Sequence, residues 1–296
     1  MEWPETEPWY EPQHPRPEHA HALACTWTAR PTGRHRLVPD ACLDLLCLLP
    51  GDGSAARAEL PAEPALVLCG PERRAWTFEL PPGTVAVGVR FRPGWASLAF
   101  DLDVATVLDR RIPYEEVVGR DEAAAMRAAI TAPGPLAEWA RRMEAALAPR
   151  LHSVGAVERQ LVDHVTTLLT TSPRPSQQQL AAALGLTPRH LHRRLVRTFG
   201  YGAATIGRIL RFQRFLAVWA LTPDHHRRDR PAPGALPSMA ELAATAGYAD
   251  QAHLARDCRA LTGLTVRRFL AEWFPTFPDM SDPFKTGVPF AATMGG

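Results

Sequence analysis

Two stretches decide how this chain is read. The first is Ser176-Gln-Gln-Gln-Leu-Ala-Ala-Ala-Leu-Gly-Leu-Thr-Pro-Arg-His-Leu-His-Arg-Arg-Leu-Val-Arg-Thr-Phe-Gly200. Ser176 followed three residues later by Gln179 is a capping box. Gly185 ends that helix, and Thr187-Pro188 supplies the N-cap and N1 proline of the next. So short a connection between two helices is the spacing of a DNA-binding helix-turn-helix. In the second helix Leu191, Leu195 and Phe199 share the face expected to be buried. Arg189, His192, Arg193 and Val196 or Arg197 share the opposite face, and Gly200 stands at C′.

The second stretch is Met239-Ala-Glu-Leu-Ala-Ala-Thr-Ala-Gly-Tyr-Ala-Asp-Gln-Ala-His-Leu-Ala-Arg-Asp-Cys-Arg-Ala-Leu-Thr-Gly263. It repeats the plan: Leu242 and Ala243 precede Gly247, and Asp250 caps the next helix. Leu254, Cys258 and Leu261 form the buried stripe, and Gly263 closes the helix. Gln251, Ala252, Ala255, Arg256 and Arg259 face outward. Between the two units Thr205–Ala220 reads as one long apolar helix carrying Arg208, Arg211 and Arg214.

Charge sharpens this reading. The chain of 296 residues has a net charge of +2, but residues 1–150 hold 16 Arg against 21 acids, a net of −5. Residues 151–296 hold 17 basic residues against 10 acids, a net of +7. A polyanion-binding C-terminal half joined to something else is the implied plan. A lone helix-Gly-helix with arginine is common in ordinary helical packing; two in tandem on one connecting helix are far less so.

Gly247-Tyr-Ala-Asp-Gln-Ala-His-Leu-Ala-Arg256 and Leu261-Thr-Gly-Leu-Thr265 resemble the signature of AraC/XylS-type transcriptional regulators. Pro188-Arg-His-Leu-His-Arg193 and Arg208-Ile-Leu-Arg-Phe-Gln213 resemble that family's first unit and linker helix. The likeness covers about residues 174–274. It implies two recognition helices entering successive major grooves of double-stranded DNA. Arg189, His192, Arg193 and Arg197 would serve one groove, and Gln251, Ala252, Ala255, Arg256 and Arg259 the other. The chemistry agrees, because Arg takes guanine O6 and N7 bidentately and Gln pairs with adenine. The chain departs from the family at Cys258, where an aromatic residue is usual, and at Val266, where proline is common. The loop Asp224–Leu236 is also longer than usual.

The N-terminal portion has another texture. Residues 1–18 are rich in Pro and Glu and read as an irregular arm. Strand-like alternation follows over His19–Trp27, Cys42–Leu46, Ala65–Cys69, Ala75–Leu80 and Thr84–Phe91, punctuated by Pro and Gly. A small β-sandwich or barrel is expected. Val38-Pro-Asp-Ala-Cys-Leu-Asp-Leu45, Gly88-Val-Arg-Phe-Arg-Pro-Gly94 and Asp109-Arg-Arg-Ile-Pro-Tyr114 resemble the cupin-like N-terminal domain of a subset of these regulators. That resemblance implies a sensor or self-association domain. Alternation places Arg90 and Arg92 on one strand face and Asp40, Cys42 and Asp44 on another. These residues, with Trp27, are the candidate ligand anchors, although an internal Arg–Asp network is the favoured role. After Arg92-Pro-Gly, residues 95–100, 121–130, 136–147 and 154–171 read as helices.

Other functions find little support. The composition is that of a soluble protein; there is no run long enough to span a membrane and no leader-like start, so the default compartment is the cytoplasm. No phosphate-cradling Gly-rich loop, Gly-x-Ser-x-Gly elbow or His-Glu-x-x-His helix is present, so an enzyme is not expected. His19, His21 and Cys25 share a strand face that would suit a soft metal, but a fourth ligand is missing. An Ada-like alkyl-transfer protein would need four clustered cysteines on zinc, and Cys25, Cys42, Cys47 and Cys69 lack the spacing. A metal- or thiol-sensing regulator is the other alternative.

The expectation is therefore an α+β chain. It comprises a cupin-like domain over 1–120, a helical linker over 121–172, a tandem helix-turn-helix domain over 173–274 and an irregular tail over 275–296. Its function is that of a transcription regulator, commonly an activator in this family, without metal or cofactor. Its expected partners are DNA, a small-molecule effector, RNA polymerase and a second copy of itself.

Overall fold

The computed structural model describes residues 10–31, 33–49, 64–81, 83–170, 175–222 and 237–273. The loop after Thr222 and the tail beyond Trp273 lie outside the described residues. The fold is α+β, with a β-sheet domain followed by a helical region.

The strands are β1 (Tyr10–Gln13), β2 (Leu23–Ala29), β3 (Arg34–Leu37), β4 (Leu43–Leu49), β5 (Ala65–Cys69), β6 (Trp76–Glu79), β7 (Val85–Phe91) and β8 (Arg111–Pro113). Six of them form one sheet in the order β1-β2-β7-β4-β5-β8, and β3 pairs with β6. Every pairing is antiparallel. Period-two alternation sorts the sheet into two faces. Leu43, Leu45, Cys47, Leu66 and Leu68 point into the main core, whereas Asp44, Leu46, Leu48 and Val67 stay half-buried on the other side.

The helices are α1 (Trp95–Phe100), α2 (Tyr114–Val118), α3 (Arg120–Thr131), α4 (Leu136–Ser153), α5 (Ala156–Thr170), α6 (Gln177–Ala183), α7 (Pro188–Phe199), α8 (Ala203–Leu221), α9 (Met239–Thr245), α10 (Gln251–Thr262) and α11 (Val266–Trp273). Helix α4 packs on β2 and β7 and covers the inner face of the sheet. It was expected to stop at residue 147 but runs on through Pro149. Pro149 forgoes the hydrogen bond to the Ala145 carbonyl and its ring crowds that group, a cost that ordinarily kinks or ends a helix. The buried side chains of Leu147 and Leu151 on either side keep α4 packed through it. Val154 is extended, so the helix expected from 154 starts at Ala156.

The described part of the N-terminal arm, from Tyr10 on, is more ordered than its composition suggests. Tyr10–Gln13 adds an edge strand, and Pro17–His19 is a 3-10 turn. That turn overturns one expectation, because β2 begins only at Leu23 and the alternation cannot be extended back to His19. His19 Nδ1 lies 2.8 Å from Glu144 Oε1, both residues fully buried. Glu144 also accepts from the Arg16 backbone N–H at 2.7 Å, so the buried carboxylate is satisfied. His21 meets the edge of Trp95, and Cys25 lies near Tyr10 on the outer face. His19, His21 and Cys25 therefore do not share one strand face.

One hydrophobic core runs from the sheet through the linker helices into the helix-turn-helix units, joining Phe91, Leu147, Val162, Phe199, Phe212 and Leu254. The seam between the β-domain and the C-terminal helices is close. Gly94, at φ +85°, lies under Phe199, whose ring a Cβ would approach to 3.0 Å. Gln213 Nε2 on α8 donates to the Pro39 carbonyl at 2.7 Å in a fully buried bond. The Ala75 N–H donates to Leu261 O at 2.6 Å, and Arg36 Nη1 donates to Thr262 O at 3.0 Å, tying the β-domain to the end of α10. Tyr201 Oη donates to the Glu72 carbonyl.

The Glu72 side chain meets Arg111, which stacks 3.6 Å above the Trp76 ring. Burial, reinforced by a proton shared with Asp109, raises the Glu72 pKa to about 7 against the opposing pull of Arg111. The folded-state value exceeds the unfolded one, so the contribution is complete below about pH 4.5 and is lost as pH rises through about 7. After allowance for solvent screening, we expect about 1–2 kcal/mol less stability at pH 8 than at pH 5 from this group. Glu72→Gln cannot ionise and should flatten that part of the profile in thermal melts at the two pH values.

Candidate nucleic-acid interface

Each helix-turn-helix unit is assembled by local sequence. Ser176 accepts from Gln179 N–H at 3.2 Å while the Gln179 side chain accepts from Ser176 N–H at 2.8 Å. Ser238 and Glu241 form the same reciprocal pair at the start of α9, a capping box visible in the sequence one residue ahead of the unit as first delimited. Thr187 caps α7 at 3.2 Å and Asp250 caps α10 at 2.6 Å. Gly200 and Gly263 close the two helices in the left-handed conformation at φ 78° and 75°. Leu191, Leu195 and Phe199 are buried, as are Leu254, Cys258 and Leu261.

Burial of those stripes fixes what is left outside. Arg189, His192, Arg193 and Arg197 on α7 are exposed. So are Gln251, Ala252, Ala255, Arg256 and Arg259 on α10. The two faces differ in their surroundings. The far end of α7 overlooks a cleft of about 880 Å³ shared with α1 and α5. His192, Arg193 and Arg197 form one wall; Leu98, Leu161, Asp101, Asp103 and Glu158 belong to the other. Arg197 Nη2 bridges the cleft to Asp101 Oδ1 at 2.8 Å, a solvent-exposed ion pair. Three ion pairs at α10 gather instead on Asp257, a buried residue of that helix itself, off its outward face.

The candidate ligand residues separate into a cluster and an outlier. Strand register lines up Cys25, Arg90, Asp44, Cys69 and Arg111 across β2, β7, β4, β5 and β8. Arg90 Nε and Nη2 each donate to Asp44 at 3.1 Å, and its Nη1 lies 3.2 Å from Asp40. Trp27 Nε1 donates to Asp44 Oδ1 at 3.0 Å. The Trp27 ring lies on Gly88, where a Cβ would come within 2.3 Å of it, so only glycine admits that stacking. Burial pushes the Asp40 carboxyl upward although Arg90 sits beside it. Trp27, Asp40, Asp44 and Arg90 thus form one internal network opening onto the half-buried outer face. Arg92 lies past the end of β7 and leaves this group: its Nε donates to the Ala20 carbonyl at 2.7 Å.

The cysteines do not assemble a four-thiol site. Cys47 faces the main core, while Cys25 and Cys42 border the Arg90 network on the opposite side. Burial pushes the Cys47 thiol up to about 11 and the Cys69 thiol up to about 12. Cys42 moves the same way. Thiols so shifted hold their protons at neutral pH, the opposite of a reactive thiolate. Neither the alkyl-transfer nor the thiol-sensing alternative gains from this geometry.

Residues 12–113 match a family described as a domain of unknown function, DUF6597, a span that starts in β1 and ends on the last residue of β8. No curated protein matches the chain in sequence. Among solved structures, one of ToxT from Vibrio cholerae is similar at 7% identity and a TM-score of 0.39, covering 88% of this chain and 98% of that one. The apo form of a ToxT variant from strain SCE256 is similar at 9% identity and the same TM-score, covering 90% and 98%.

Replacing Arg193 or Arg256 with alanine should cost about 1–3 kcal/mol of specific DNA affinity if each reads a base, with non-specific affinity preserved. Asp101→Ala should act in the opposite sense. By releasing Arg197 it should tighten binding by a few-fold, the scale of an exposed ion pair. Fluorescence anisotropy on matched cognate and scrambled duplexes measures all three.

Proposed function

We propose that this chain is a sequence-specific DNA-binding transcription regulator of the AraC/XylS type. One observation carries the proposal: two helix-turn-helix units share a single buried connecting helix, and each leaves an exposed, polar face on its second helix. Such a pair presents two helices of the right width to the major groove of one duplex. The basic C-terminal half supplies the phosphate attraction that any duplex-binding protein needs. The residues that bear the motif likeness, Gly247–Arg256 and Pro188–Arg193, coincide with these turns and second helices.

The β-domain is the regulatory part in this reading. It is cupin-like, and the half-buried outer face around Trp27, Asp40, Asp44 and Arg90 is where a small-molecule effector would act. An effector shifts the protein only by binding one arrangement of the seam better than another. Activation through RNA polymerase and action as a homodimer in the cytoplasm complete the proposal, and no catalytic step belongs to it. Among the described residues, no helix is long and apolar enough to cross a membrane.

A genome-wide map of bound DNA in the source cell, paired with salt titration of the purified full-length protein, tests the proposal. A recurrent bipartite motif upstream of genes is expected. Affinity should fall with salt at a log–log slope of roughly −0.9 per phosphate neutralised. A folded protein with no duplex affinity at low salt would overturn the reading.

A further inference from the structure

Helix α8 carries Arg208 and Arg211, which would look like phosphate contacts on a DNA-binding domain. Arg211 is largely buried, and Arg208, although its side chain is 43% exposed, is turned onto the same carboxylate. Arg208 Nε lies 3.2 Å from Asp257 Oδ1, and Arg211 Nη2 lies 2.8 Å from Asp257 Oδ2. Asp257 belongs to α10, and its side chain is only 8% exposed. His253, one turn earlier on the same flank, reaches Arg211 at 3.3 Å. Arg211 also lies over the ring of Tyr248, 5.0 Å from its centroid, and Tyr248 meets His253 edge-on.

Taking α7 and α10 as DNA readers, we infer that Asp257 is the positioning residue that sets the aim of α10. The stripe Leu254, Cys258 and Leu261 attaches α10 to the core, but apolar contacts are non-directional and tolerate rotation about the helix axis. Cys258 adds little steric definition, being small. Asp257 lies on the flank of that stripe, and its two oxygens are held by two arginines of a different helix. That forked, charge-assisted grip defines one rotation of α10. Residues 251, 252, 255, 256 and 259 are carried on the far side of the same cylinder. A turn of about 20° moves a side-chain tip about 2 Å at a helix radius of roughly 5–6 Å, enough to break a bidentate base contact. Arg208 and Arg211 act here through Asp257 and do not touch phosphate.

The test is selection of bound sites from a random duplex library by full-length wild type, Asp257→Asn, Arg208→Gln and Arg256→Ala, with salt titrations and thermal melts. Arg256→Ala identifies the half-site read by α10. Asp257→Asn should lower the preference for that half-site about tenfold, leaving the other half-site and the salt slope unchanged. Arg208→Gln removes one arm of the grip without stranding a bare buried charge, and should give a smaller loss in the same half-site. It also decides the matter if Asp257→Asn does not fold. Folded variants that keep full preference in both half-sites overturn the inference alone. So does a salt slope about one unit shallower for Arg208→Gln, which would make that arginine a phosphate contact. A wild-type protein that enriches no sequence overturns the DNA-binding reading itself.

Discussion

Helix α8 is the constraint on which the rest of the molecule depends. Ile206, Ile209, Leu210, Phe212, Phe215 and Leu216 are buried, on more than one side of the cylinder. A helix apolar nearly all round must lie inside other structure. It packs on α5, α7, α9 and α10, so both helix-turn-helix units and the linker are built against it. Three of its polar side chains also bond within the protein: Gln213 reaches Pro39 of the β-domain, and Arg208 and Arg211 hold Asp257. Through this one element the spacing of the two reading helices is set by the same packing that holds the β-domain in place.

That arrangement is what the proposed regulation would act on. Asp40 is a member of the Arg90 network, and the preceding residue, Pro39, supplies the carbonyl that Gln213 uses. A change in the outer face of the sheet is therefore one residue from the spine of the helix-turn-helix half. On the other side of the seam Asp101 holds Arg197, a residue of the α7 reading face. Among the ties between the β-domain and the helix-turn-helix half are thus a buried neutral bond and an exposed ion pair. The buried bond cannot open without leaving an amide and a carbonyl unsatisfied, whereas the exposed pair exchanges readily with water and salt. Differential control falls more naturally on the second.

The helical half was largely legible because its signals are local. The capping residues Ser176, Thr187 and Asp250, an N1 proline, C′ glycines and a three- to four-residue apolar spacing lie within single helices, and they located α6, α7 and α10 closely. Strands carried less information. β5 was read with its bounds intact from Ala65–Cys69, flanked by turn residues, but β3, β8 and the edge strand β1 were missed. Each is only three or four residues long and has meaning only through a partner distant in sequence. The strand face expected to join His19, His21 and Cys25 is absent for the related reason that alternation does not extend through a proline-led 3-10 turn.

Site residues divide the same way. Helical periodicity placed all nine proposed DNA-contacting residues on exposed surface. Strand alternation grouped Asp40 with Asp44 but could not show that Arg90 joins them from a neighbouring strand, or that Arg92 departs. Nor did helical periodicity reveal Asp257. It separates a buried stripe from a wet face, but a residue on the flank is assigned by what the neighbouring helix offers it. Here that is a pair of arginines one turn apart on α8, whose spacing alone would equally have fitted a phosphate backbone. A buried carboxylate is costly unless compensated, and Asp257 has two guanidinium groups and a histidine within reach. An apolar residue there would stabilise as well, so the retained charge is best understood as orientation rather than adhesion.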